Sequence, residues 1–221
     1  MPRGRSTAVL LLLQMAGSAI VNLALLGPVF AGPSGFLVNA AADPLRVSLA
    51  ATLGLATGVL SIGAALSVWP VFRAHARAPA LWFLALTLVG VATAVLENVS
   101  LLSMLSLSQA YAKADASSGA LFQVLRGVVA STRNWAHYTQ LMFAGCSLLV
   151  FYGTLFRFRL VPRALAGFGV AAAVSQFTSV SMPLFGHPVE FLLLAPLGLS
   201  HLAVTVWLLV RGFPQASGAD G

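Results

Sequence analysis

The sequence predicts an all-α integral membrane protein, a bundle of six transmembrane helices with both termini cytoplasmic. Three observations predict it. Hydrophobic residues make up 59% of the 221 and charged residues only 8%, whereas soluble domains carry roughly 25% charged residues. The apolar residues fall in continuous runs, which suits helices and excludes the alternating pattern of a membrane barrel. Six such runs are present, and each can cross a hydrocarbon core of roughly 30 Å at about 1.5 Å per residue. The same composition excludes a soluble enzyme, a disordered chain and a disulfide scaffold.

The chain reads as a basic cytoplasmic N-terminal tail (1–6), a six-helix membrane domain (7–212) and a polar C-terminal tail (213–221). The first span, 7–30, exceeds the roughly 7–15 residues of a signal-peptide core and reads as a retained helix. Ala31-Gly32-Pro33-Ser34-Gly35 and Asp43-Pro44 break the chain before the second span, 45–70. Trp69-Pro70 and Ala78-Pro79 bracket a tight basic loop before the third, 80–109. Residues 110–133 form the longest loop. Within it Leu121, Val124, Leu125 and Val128 recur at helical spacing, which predicts a short helix lying on the outer membrane surface as a cap. The fourth span covers 134–157. Pro162 precedes the fifth, 164–185, and Pro183, Gly186 and Pro188 turn the chain into the sixth, 189–211.

Basic residues set the orientation. Arg3, Arg5, Arg73, Arg77, Arg157, Arg159, Arg163 and Arg211 collect on one side, against Arg46, Lys113, Arg126 and Arg133 on the other. This asymmetry places both termini in the cytoplasm and the chain in the cytoplasmic membrane. Trp69, Trp82, Tyr152 and Trp207 fall near cytoplasmic ends and Tyr111, Trp135 and Tyr138 near outer ends, as an aromatic belt would. The net charge of +7 resides in these flanks, with no basic stripe for nucleic acid. The expected partners are membrane lipids. Cys146, the only cysteine, lies in an apolar run and has no partner for a disulfide within the chain.

Several segments, in order, resemble a family of bacterial multi-pass membrane proteins, domain of unknown function 4386. They are Asp43-Pro44-Leu45-Arg46, His137-Tyr138 with Gly145, Leu148-Leu149 and Tyr152-Gly153, and then Leu160 to Gly167, similar to the family's LPRxLG turn with Val161 inserted and Ala166 ahead of the glycine. Trp207-Leu208-Leu209-Val210-Arg211-Gly212 closes the series. The resemblance runs from about residue 8 to 212. It implies a helical membrane protein of about six spans and no particular activity.

Glu97 is the most informative residue. It falls near the middle of the third span, where a charge costs about 2.5–3.5 kcal/mol and usually faces the bundle interior. Burial disfavours its charged form unless a cation pairs with it. Thr93, Glu97, Ser100 and Met104 share a helical face, with Asn98 beside it. By depth, Asn22 with Ser18, Gln176 with Ser175, and His201 with Ser200 fall in the same layer. A Glu97–His201 pair would offset the burial of both and could relay protons. Glu97, His201, Gln176, Asn22 and Asn98 are therefore the expected ligand or proton site. Pro196, five residues before His201, is expected to kink the sixth span.

Asp43, His137, His187 and Glu190 form a second candidate group near the outer surface, with carboxylate and imidazole ligands suited to zinc or iron, although no HExxH motif accompanies them. Gly54 and Gly58 form a GxxxG that allows close helix approach, either within the chain or across a homodimer. Ser103, Ser106 and Ser108 are expected to bond carbonyls of their own helix, and nucleophile elbows and phosphate loops are absent. Three function classes remain: a small-molecule or lipid-binding membrane protein, transporter-like or an accessory subunit; a membrane-embedded enzyme; and a structural or assembly protein. Any cofactor is left open.

Overall fold

The computed structural model describes residues 4–33 and 35–214; most of the predicted tail 213–221, and residues 1–3, lie outside them. Six helices are long and apolar enough to cross a membrane, and no strand occurs among the described residues. We number the helices α1 (Arg5–Phe30), α2 (Phe36–Ala42), α3 (Pro44–His75), α4 (Arg77–Tyr111), α5 (Gly119–Arg157), α6 (Arg163–Ser181) and α7 (Ala195–Arg211). The segment Ile20–Leu26 of α1 is wound as a π-helix. Short 3₁₀ turns, Met182–Phe185 and Phe191–Leu193, extend α6 and lead into α7.

Several predicted boundaries move, each for a local reason. α3 runs through Pro70 to His75, so the basic loop shrinks to Ala76, whose amide still bonds the Phe72 carbonyl at 2.8 Å. The expected surface helix around 121–128 is instead the first part of α5, which is continuous for 39 residues. The turn before it is only 112–118. Pro196 does not kink a span: it lies in the first turn of α7, where its missing amide would have had no helical partner. α2 fills the break expected between the first two spans.

The chain divides into two compact units, and α1, α3, α4 and α5 contribute to both. The first comprises residues 1–13, 60–90 and 140–221. Its core is a run of rings: Phe72, Phe83 and Phe151 lie with centroids 5.4–5.8 Å apart, and Tyr152 meets Phe151 edge-on at 5.3 Å. Around them pack Leu155, Leu160, Val204 and Leu208, all buried. In hydrocarbon such packing, not exclusion from water, draws helices together, and small residues and hydroxyls supply the close contacts. Thr7 and Ser67 share a hydrogen bond of 2.7 Å, and Thr87 and Ser147 one of 2.9 Å. Between the last two spans, the Ser175 hydroxyl donates to the Leu193 carbonyl (2.7 Å) and the Ser179 hydroxyl to the Glu190 carbonyl (2.8 Å). These bonds satisfy backbone that has left the helix, a requirement at membrane depth.

The second unit comprises residues 14–59 and 91–139, with Val21, Leu26, Phe36, Leu37, Val47, Leu101 and Met104 in its core. The GxxxG of α3 is used within the chain. A side chain on Gly54 would meet Asn98 at 3.0 Å, and one on Gly58 would meet Val91 at 3.1 Å. Ser103 and Ser106 bond their own helix as expected. Ser108 departs from that pattern. Its hydroxyl donates to the Leu37 carbonyl (2.9 Å) and accepts from the Ala41 amide (2.8 Å), fixing α2 against α4. Asn39 of α2 extends its amide to the carbonyls of Pro28, Val29 and Ala31, the frayed end of α1.

Candidate functional site

Glu97 lies in the second unit with two basic partners. Its Oε1 accepts from Arg133 Nη2 at 2.5 Å and its Oε2 lies 3.0 Å from His137 Nδ1. Arg133 and His137 are four residues apart in α5 and so share one helical face. The Arg133 guanidinium also stands 5.2 Å over the Phe30 ring, at the end of α1. Side-chain exposures are 12% for Arg133, 18% for Glu97 and 25% for His137. The carboxylate is thus divided between two cationic-type donors on one helix, with an aromatic wall behind the guanidinium. Low surrounding polarity strengthens this attraction, and each desolvated charge would be costly without it. Arg133 Nε is buried and unpartnered, a donor still to be satisfied.

Arg133 stands one residue before the fourth predicted span, and it reaches Glu97, which lies near the middle of α4. The partner differs from the one expected. Glu97 pairs with Arg133 and His137, and His201 pairs with Tyr152. In the first unit the Tyr152 hydroxyl lies 3.0 Å from His201 Nδ1 and 3.4 Å from Ser200 Oγ. Tyr152 is 0% exposed and belongs to the core instead of the aromatic belt. It reaches that position because Gly169 leaves room: a side chain there would overlap the Tyr152 ring.

The remaining predicted site residues are dispersed. Asn98 donates to the Ala94 carbonyl (2.9 Å) and packs on Gly54. Asn22 is exposed in the π-helical segment and donates to the Ser18 carbonyl (2.9 Å). Gln176 is 5% exposed and its Oε1 is buried without a partner.

The outer-face metal group is not assembled. Among the described residues no three His, Cys, Asp or Glu side chains come together as metal ligands. Asp43 pairs with Arg46 at 3.1 Å, His137 is taken by Glu97, and the Glu190 carboxylate caps its own turn at the Leu192 amide. His187 follows the left-handed Gly186 in the turn after α6. Local charge pairing and capping satisfy three of the four, so nothing draws them to a shared ion. Sequence reading missed Arg133 as a site residue, because a cation at the edge of an apolar run looks like a topology signal. Its spacing of four from His137 was the available clue.

Six apolar helices, with ion pairing concentrated inside one unit, define a helical multi-pass membrane protein. The family model described as "Domain of unknown function (DUF4386)" matches residues 7–212, and the chain belongs to that family. No curated protein and no solved structure matches the chain.

Proposed function

We propose that the chain is a transporter-like or accessory protein of the cytoplasmic membrane that binds a small polar molecule at the Glu97–Arg133–His137 cluster. The observation that carries this reading is the unequal bonding of Arg133. One nitrogen holds Glu97 while the buried Nε holds nothing. A ligand acceptor such as a carboxylate or carbonyl would satisfy it, and Phe30 would hold the guanidinium plane as the carboxylate of Glu97 is exchanged for the ligand. Intramembrane ionisable residues that face the bundle interior commonly mark substrate or proton paths. His137 holds the other oxygen of the same carboxylate, so a ligand that displaces Glu97 from Arg133 would also act on the imidazole.

The test is a comparison of wild type with Glu97→Gln and Arg133→Gln in nanodiscs, screened by thermal melting against small organic anions and followed by solid-supported-membrane currents. The expected result is a ligand-dependent rise in melting temperature for wild type that Arg133→Gln abolishes. A cluster that serves only packing would give lower melting in both variants and no ligand response in any of the three.

A further inference from the structure

A second basic site lies in the first unit, at the junction of α5, α6 and α7. A cleft of about 450 Å³ is lined by Arg159, Arg163 and Arg211, by Trp207, and by the backbone around Pro162 and Gly212. Three arginines line one concavity. Among the described residues, ion pairs involve only Asp43 with Arg46 and Glu97 with Arg133 and His137, so these three arginines have no carboxylate partner there. Arg163 is steadied by the Phe156 ring, 5.6 Å from its guanidinium. α6, 19 residues long, begins at the cleft with Pro162 as its cap.

Arg159 gives the most telling detail. It is the one non-glycine residue with positive φ (53°) among the described residues. It occupies the left-handed position that ends α5, with Leu160 N bonded to the Leu155 carbonyl and Arg159 N to the Phe156 carbonyl. The corresponding turn after α6 has Gly186 at that position. Glycine carries less strain there, whereas this chain places an arginine at that position, in the lining of a cleft that two more arginines share.

We infer that this cleft binds a phosphate group, as either the headgroup of an anionic phospholipid or a free phosphate anion. Arginine forks match phosphate oxygens in pairs, and Trp207 suits the boundary where a headgroup meets the acyl chains. This site is separate from Glu97 and independent of the reading given for it.

The experiment measures melting of the full chain in phosphatidylcholine nanodiscs under three conditions at matched ionic strength: added sodium chloride, added inorganic phosphate, or phosphatidylglycerol in the disc. The expected result is stabilisation by phosphate, by phosphatidylglycerol or by both beyond that given by chloride. A response to phosphate identifies a soluble anion as a sufficient ligand, and a response to phosphatidylglycerol alone identifies the lipid. Arg163→Gln and Arg211→Gln should each weaken binding about fivefold, as expected for a basic residue near a charged surface. Arg159→Gly separates binding from folding: it should melt higher than wild type without ligand, yet bind phosphate more weakly. Equal melting in all three conditions, or a full response in Arg163→Gln, Arg211→Gln and Arg159→Gly alike, would overturn the assignment.

Discussion

At Glu97 one carboxylate is shared by a guanidinium and an imidazole, and the consequences of removing it are asymmetric. Glu97→Ala leaves Arg133 buried and uncompensated, which should cost about 3–5 kcal/mol. The double change Glu97→Gln with Arg133→Gln removes both charges and should recover much of that loss. Reversible unfolding in mixed micelles would measure both, and additive losses in the double variant would show that the pair has no coupling. Tyr152 is the counterpart in the first unit. Tyr152→Phe keeps the ring packing and loses the bonds to His201 and Ser200, so about 1 kcal/mol is expected, within the range of membrane hydrogen bonds. Gly169→Ala should be worse than Tyr152→Phe, because a methyl group would overlap a fully buried ring and overpacking typically costs about 1–3 kcal/mol. That Glu97 needs a cationic partner was legible in the sequence, since a lone acid in an apolar run is costly unless paired. Its partners were not, because contact between helices depends on rotation and register that spacing along one chain does not encode.

At the scale of elements, the six helices followed from apolar length alone, and the errors cluster where propensity and context conflict. Pro70 reads as a break, but late in α3 the helix continues past it to His75. The stretch 121–128 reads as a separate amphipathic helix, but with no glycine-proline break before Arg133 nothing separates it from the span, and α5 forms in one piece. α2 was invisible because seven residues are too few for periodicity to register. It is held by single polar side chains. Ser108→Ala should therefore act beyond its own position, removing the two hydrogen bonds that tie α2 to α4 at about 0.5–1.5 kcal/mol each. Hydrogen exchange should rise across Phe36–Ala42, and unchanged protection there would refute the role assigned to Ser108.

At the scale of the whole molecule, the basic residues predict a topology that labelling can test. Cys146 is the only cysteine, so a cysteine-free background requires one substitution. Single cysteines at Ala76 and Ala164 should react with an impermeant maleimide from the cytoplasmic side, and one at Ala114 from the opposite side. Reaction of all three from one side would refute the six-span topology. The Ser175 and Ser179 bonds bear on how such a chain is made. Both close within the last two spans, with partners 18 and 11 residues away. A nascent hairpin leaving the ribosome can therefore saturate its own exposed carbonyls before the earlier helices have docked. It can pass laterally from the translocon into lipid as a finished pair, and changes to these serines would appear first as mis-inserted C-termini during biogenesis, ahead of any loss in the mature protein.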